Sequence, residues 1–173
     1  MEKLPIIIRE ALPRDIEHLA DVERSAAQIF KDNTTLAWVA DDAVQSTAIH
    51  QTYIQSKNSW VAIHDDQFIG FINGVEHNKT FHICELSVGQ DWQNQGVGNA
   101  LLSHVENAMR ERGITALTLT TFRDIPWNAP FYERKGFVEL NDTELSLFLA
   151  DILEEEIESG LDPNNRCAMQ KLL

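Results

Sequence analysis

Apolar residues recur along the chain in two patterns, one typical of strands and one typical of amphipathic helices. Residues 114–122, ITALTLTTF, alternate leucine and threonine, and this period of two predicts a strand. In residues 95–112 the apolar positions recur every three or four residues, as at Leu101 and Val105, which predicts a helix that stops at Gly113. Both kinds of element therefore occur in one short chain.

The same two patterns predict the other elements. Further strands are predicted at 5–10, 59–64, 67–75, 80–88, 137–140 and 166–173, the last at an edge of a sheet, with a hairpin turn at Asp65 and Asp66. Further helices are predicted from 13–15 to about 30, from 41 or 42 to about 55, at 128–134 and at 143–159. This order is not a regular βαβ alternation, and no repeat or linker interrupts it. We expect one α/β domain with a mixed sheet over residues 1–173.

The charge of the chain narrows the classes of function. The formal net charge is -13, and no basic footprint for nucleic-acid binding is seen. Glutamates 154, 155, 156 and 158 contribute to this charge and are predicted to form the exposed face of one helix. No apolar run reaches the length of a membrane span, and the first residues do not resemble a signal peptide. We therefore expect a cytoplasmic protein with neither nucleic acid nor a membrane as partner.

Cysteine and histidine usage bears on metal binding. The chain has two cysteines, Cys84 and Cys167, without a Cys-x-x-Cys pair, and its six histidines are scattered. This pattern favours reduced thiols over disulfides or metal ligands. We expect no metal site.

A glycine-rich corner, QNQGVG at 93–98, lies between a predicted strand and a predicted helix. First-turn N–H groups of a helix have no intrahelical partner and its dipole adds positive potential, so such a corner is suited to an anion. A P-loop needs Gly-Lys-Ser/Thr, but Gly98 is followed by Asn99 and Ala100. A dinucleotide fingerprint needs Gly or Ala where Leu101 stands, and also needs alternating parallel strands.

A third phosphate-binding pattern, Arg/Gln-x-x-Gly-x-Gly/Ala, does match residues 93–98. With ELSV at 85–88 before it and PFYERKGF at 130–137 after it, the sequence resembles the GNAT superfamily of acyl-CoA-dependent N-acetyltransferases. The likeness covers the element order from about residue 6 to 140. It implies an α/β fold with a mixed, mostly antiparallel central sheet of about seven strands flanked by helices. It also implies acetyl-CoA as co-substrate, without a metal.

The resemblance assigns the cofactor-binding residues. Pantetheine would pair with the backbone of the strand before the corner, and the Leu86 N–H would polarise the thioester carbonyl. Asn128 is inferred to contact the cofactor from its place near Tyr132, although it does not occupy the family's usual position. The backbone groups expected to bind coenzyme A are those of Leu86, Ser87, Val88, Gln93, Gln95, Gly96, Val97, Gly98 and Asn99.

The resemblance also suggests the catalytic groups, since the amine must lose a proton and the thiolate must gain one. Tyr132 matches the family's proton donor; the alternative is a packed aromatic. For the base, Glu85 and His82 both lie on the predicted strand 80–88, and their odd separation places them on opposite faces unless a bulge intervenes. Glu85 is slightly favoured, His82 has a suitable natural pKa, and either can act through water.

Two functions from different classes follow. The first is an N-acetyltransferase that moves an acetyl group from acetyl-CoA to a primary amine by direct attack in a ternary complex. The second is a non-catalytic acyl-CoA-binding or regulatory module on the same fold. The acceptor, a small amine or a protein amine, is left open, as is a homodimer.

Overall fold

The computed structural model describes residues 3–173, and its elements follow the predicted order. The strands are β1 (Ile7–Glu10), β2 (Ser59–His64), β3 (Gln67–His77), β4 (Thr80–Val88), β5 (Ala116–Phe122), β6 (Val138–Glu139) and β7 (Arg166–Leu172). The α-helices are α1 (Ile16–Ala27), α2 (Thr47–Gln55), α3 (Val97–Glu111), α4 (Ala129–Arg134) and α5 (Leu147–Glu158).

The seven strands form a mixed sheet in the order β1-β2-β3-β4-β5-β7-β6. Strand β4 pairs with β5 in parallel, whereas β1 with β2, β2 with β3, β5 with β7, and β6 with β7 pair antiparallel. The predicted α/β fold with a mostly antiparallel sheet is confirmed. The prediction that the last strand lies at an edge is wrong, because β7 pairs with β5 on one side and with the short β6 on the other.

Two helices begin later than their apolar patterns suggest. Helix α2 was predicted from residue 41 or 42, but it begins at Thr47, and the side chain of Ser46 accepts a hydrogen bond from the Ile49 N–H. Helix α5 was predicted from 143 and begins after Ser146, whose side chain accepts from the Leu149 N–H. A serine cap satisfies an N–H that has no intrahelical partner, so these two residues fix where each helix starts.

The chain forms two compact units. The first contains residues up to Val75 together with Cys84–Ala108, and the second contains Glu76–Ile83 and Met109–Leu173, so β4 contributes to both. In the first unit, α1 packs its buried face against β2 and β3. This core cluster consists of Ala11, Leu19, Val22, Val61 and Phe71.

Gly70 of β3 determines how closely α3 approaches the sheet in the first unit. A Cβ atom at Gly70 would lie 3.0 Å from the Ser87 carbonyl oxygen and 3.1 Å from side-chain carbons of Leu101 and Val97. Contacts this short would force the neighbouring groups to shift by a few tenths of an ångström. Leu101 is fully buried, as its spacing predicted. Glycine at this position therefore lets the first turns of α3 pack directly on the strands.

A polar cluster ties together three elements of the second unit. The Arg166 guanidinium of β7 donates to Glu156 of α5 at 2.9 Å, and Thr120 of β5 also donates to Glu156. The side chains of Arg166 and Glu156 are only 11% and 19% exposed. The prediction that Glu156 lies on an exposed helix face is therefore wrong, because this carboxylate is turned inward and paired with Arg166.

Candidate active site

The glycine corner has the backbone geometry that its sequence predicted. Gly96 has φ +85°, a left-handed conformation that favours glycine, and a Cβ built on it meets nothing within 4 Å. The Ala100 N–H donates to the Gly96 carbonyl at 3.0 Å and forms the first bond of the helical ladder. The N–H groups of Val97, Gly98 and Asn99 belong to the turn before that bond, where helices lack internal acceptors. Within the part of the chain that the structure describes, the corner thus combines first-turn donors that lack an internal acceptor with open space at Gly96.

The side chain of Gln93 fixes this corner to its surroundings. Its Nε2 donates to the Val88 carbonyl at 3.0 Å and to the Ala26 carbonyl, at the end of α1, at 3.4 Å. Nearby, the Gln90 N–H donates to Ser25 Oγ at 2.9 Å. Sequence reasoning assigned only the main chain of Gln93 to ligand binding. Its side chain has a separate structural role that joins α1, the end of β4 and the corner.

Glu85 and Ser87 are brought together on β4. They are two residues apart, hence on one face of the strand, and Ser87 Oγ donates to Glu85 Oε1 at 2.8 Å. Ser87 is buried, and Glu85 is half-buried. Leu86, between them, and Val88, after them, also lie in the part of β4 that belongs to the first unit. This hydrogen bond orients the Glu85 carboxylate.

Sequence reasoning missed Glu23, a second half-buried carboxylate in the first unit. Its two oxygens accept the Gln45 N–H at 2.9 and 3.1 Å. Burial, and then the negative charge of Glu85, raise the pKa of Glu23 to about 7. In the sequence, Glu23 is one residue in the helical spacing of α1, and no local signal links it to Glu85. Only the fold shows their electrostatic interaction.

His82 belongs to the second unit and is buried, with 4% exposure. Its Nδ1 lies 2.9 Å from Thr118 Oγ1, and its ring packs edge-on against Phe148 with centroids 5.4 Å apart. Burial lowers the pKa of His82 to about 4, although the charge of Glu156 acts in the opposite direction. The imidazole is therefore neutral at pH 7 and only weakly basic.

Tyr132 and Asn128 also lie in the second unit, on α4 and at its start. Tyr132 is 8% exposed and contacts Phe131 and Phe137 edge-on, at centroid distances of 5.1 and 5.5 Å. Its N–H donates to the Asn128 carbonyl at 3.1 Å. Within residues 3–173, the buried Oδ1 atom of Asn128 accepts no hydrogen bond. An unsatisfied buried acceptor is uncommon and fits a group that binds a ligand N–H.

The described residues contain neither a membrane-spanning helix nor a cluster of metal-binding side chains. No helix within residues 3–173 is long and apolar enough to cross a bilayer. Over the same range, no group of three or more His, Cys, Asp and Glu side chains is arranged to hold a metal ion.

Comparison with known proteins connects this geometry to a family. Residues 55–139 match the family model described as an acetyltransferase (GNAT) domain. The spermidine N(1)-acetyltransferase of Thermoplasma acidophilum is 25% identical over 166 residues, which cover 90% of this chain and 100% of the relative.

Solved structures share the fold. The PaiA N-acetyltransferase of Thermoplasma acidophilum, solved with coenzyme A, has a TM-score of 0.71 at 20% identity and covers 98% of this chain and 99% of its own. The ribosomal-protein-S18-alanine N-acetyltransferase of Escherichia coli has a TM-score of 0.70 at 16% identity, covering 97% and 94%. The family match over residues 55–139 and the full-length relative show an acyltransferase of the GNAT superfamily, and the solved structures show that its fold is shared.

Proposed function

We propose that the protein transfers an acetyl group from acetyl-CoA to a primary amine by direct attack in a ternary complex. The corner at Gly96 carries the proposal, because it combines a left-handed glycine, open space and first-turn N–H groups in a member of this superfamily. The relatives are named for different acceptors, spermidine in one and a protein alanine in another. These names support our proposal of a primary amine, either small or at a protein terminus, as the acceptor.

Several residues of this chain suit coenzyme A. The pyrophosphate would accept hydrogen bonds from the main chain of residues 93–99, where Gly96 leaves room for it. The backbone of residues 86–88 would pair with the pantetheine arm as an added strand does, with the Leu86 N–H directed at the thioester oxygen. Asn128 Oδ1, which has no donor among residues 3–173, would accept a pantetheine amide N–H.

The surroundings of the ionisable groups support the roles that we propose for them. Acetyl-CoA supplies a thioester carbonyl carbon for the amine to attack. Of the two candidates on β4, Glu85 is better placed than His82 to act on the amine, because His82 is buried with its Nδ1 beside Thr118 and its imidazole is neutral at pH 7. Glu85 is half-buried and oriented by Ser87. We propose that Tyr132 donates a proton to the departing thiolate.

A thiol-release assay tests the proposed function. The protein is incubated with acetyl-CoA and a panel of spermidine, amino acids and a peptide with a free N-terminal alanine, and mass spectrometry identifies the acetylated product. Initial rates over a grid of both substrates should give intersecting reciprocal plots, as a ternary complex requires. Parallel plots would instead indicate a covalent acetyl-enzyme. Thermal stabilisation by acetyl-CoA without turnover of any amine would favour the non-catalytic module.

A further inference from the structure

Glu23 is held in place by a chain of contacts that reaches the sheet. Its carboxylate accepts the Gln45 N–H, and the Gln45 side-chain oxygen accepts from Asn73 Nδ2 at 2.8 Å. Asn73 lies on β3 and is fully buried. A buried strand residue thus fixes the loop that binds Glu23. The carboxylate of α1 therefore has a defined position although its helix lies on the surface of the strands.

Helix α1 is also fastened to the segment that follows β4. Ser25 Oγ accepts the Gln90 N–H at 2.9 Å, and the Ala26 carbonyl accepts from Gln93. Both contacts lie within one turn of Glu23. They hold this part of the helix beside the end of β4, the strand that carries Glu85. The two carboxylates interact electrostatically in this arrangement.

Among the described residues, 3–173, the charges around Glu23 leave its carboxylate without a strong cationic partner. Glu85 of β4 and Asp42, in the loop before α2, are negative, and Arg24 is the positive group that acts on it. The Arg24 side chain is 60% exposed and donates to Asp21 at 3.1 Å instead. Two like charges that interact favour an ammonium ion beside them or a proton on one of them.

We propose that Glu23 is the proton acceptor for the substrate amine, with Glu85 holding the same amine as an ammonium ion. The proposal rests on the proposed acetyltransferase function and refines its base. One N–H bond of the ammonium breaks and an O–H bond forms on Glu23, which leaves the amine its lone pair for attack. As the amide forms and the C–S bond breaks, the nitrogen loses its second proton and the thiolate gains one. Glu23 then releases its proton to solvent.

The electrostatics support this role. A general base works best when its pKa is near the working pH, and the pKa of Glu23 is raised to about 7 by burial and by Glu85. Below that pH Glu23 is protonated and cannot accept a proton. The rate constant kcat/KM should therefore rise with pH and level off near pH 7. Removing the charge of Glu85 should lower the pKa of Glu23 and move this break to lower pH.

The first test uses no substrate. The Gln45 amide, which donates to Glu23, is followed by ¹H–¹⁵N NMR from pH 4.5 to 8.5. We expect its shift to titrate with a midpoint near pH 7 in the wild type, at lower pH in Glu85→Gln, and not at all in that range in Glu23→Gln. Glu17→Gln, an exposed change on the same helix, should leave the midpoint unchanged. A wild-type midpoint below pH 5 would overturn the proposal.

The second test measures kcat/KM against pH for the same variants with the best amine of the panel. We expect Glu23→Gln to lose the break near pH 7 and about 10²–10⁴-fold in rate at that pH. Glu85→Gln should raise KM for the amine and shift the break downward, whereas Glu17→Gln should match the wild type. If the wild type turns over and Glu23→Gln has the same dependence of kcat/KM on pH, the role of Glu23 is refuted but the proposed function is not. Absence of turnover in the wild type would instead refute the proposed function.

Discussion

The side-chain amide of Gln93 donates to the carbonyl oxygen of Val88, 3.0 Å away, and so closes the turn between β4 and α3 on itself. The same amide reaches the Ala26 carbonyl of α1. One side chain therefore connects three segments that carry proposed functions: the strand for pantetheine, the corner for pyrophosphate and the helix of Glu23. Donors that are fixed before a ligand arrives require less ordering when it binds.

Replacing Gln93 with leucine should weaken binding of acetyl-CoA. The change keeps the approximate size of the side chain but removes a hydrogen bond worth about 1 kcal/mol, so we expect roughly a five- to tenfold higher Kd. Isothermal titration calorimetry measures this. Gln90→Leu, at an exposed position in the same turn, should bind like the wild type. Equal Kd values for all three proteins would show that the amide does not pre-order the corner.

The corner itself is tested by two glycine-to-alanine changes. Gly96 and Gly113 have φ +85° and +77°, and a Cβ on either meets nothing within 4 Å, so alanine should destabilise both by about 1–2 kcal/mol. Only Gly96→Ala places a methyl group in the proposed pyrophosphate site. We therefore expect the increase in Tm caused by coenzyme A to vanish in Gly96→Ala and to persist in Gly113→Ala. If the increase persists in both variants, the pyrophosphate binds elsewhere.

Much of the fold could be predicted because its signals are local. The helical spacing of Leu101 and Val105, and the alternation in β5, are each set by neighbours within a few residues. The glycine corner is local too, since a left-handed φ at Gly96 is a property of one residue. The predicted starts of α2 and α5 were too early, because the capping residues Ser46 and Ser146, rather than the apolar pattern, determine where these helices begin.

The errors and omissions concern contacts between distant parts of the chain. Glu156 looks exposed among its acidic neighbours, and only the pairing with Arg166 of β7 explains why it points inward. Glu23 has no motif, because Gln45 and Glu85 approach it only after folding. Periodicity shows which face of a helix is apolar, but it does not show which charged groups the fold brings together.

Burial of His82 should make stability depend on pH. Its pKa falls from 6.5 to about 4 on folding, so between these values the unfolded state binds more protons than the native state. The contribution of His82 is therefore fully present above pH 6.5 and is lost as the pH falls toward 4, by roughly 3 kcal/mol in all. Urea denaturation of wild type and His82→Gln at several pH values gives the difference in unfolding free energy. The stability advantage of the wild type over His82→Gln should become smaller as the pH falls toward 4. If the advantage is the same at every pH, the imidazole is not buried in its neutral form.

Tyr132→Phe tests the proposed proton donor. A positioned general acid typically contributes about 10²–10⁴-fold, so kcat and kcat/KM should fall together by a factor in that range. The phenyl ring preserves the edge-on contacts with Phe131 and Phe137, so stability should change little. Steady-state kinetics and urea denaturation of the same preparation measure both.

The chain's other tyrosine, Tyr53, provides the matched comparison, since Tyr53→Phe removes a hydroxyl that bonds to Cys84 instead. We expect this variant to keep kcat within about tenfold of the wild type, because no proton transfer is assigned to that hydroxyl. If Tyr132→Phe raises KM while kcat survives, Tyr132 binds substrate rather than protonating the thiolate. If it unfolds far more easily than Tyr53→Phe, the Tyr132 hydroxyl is a structural hydrogen-bonding group, and another residue or water must supply the proton.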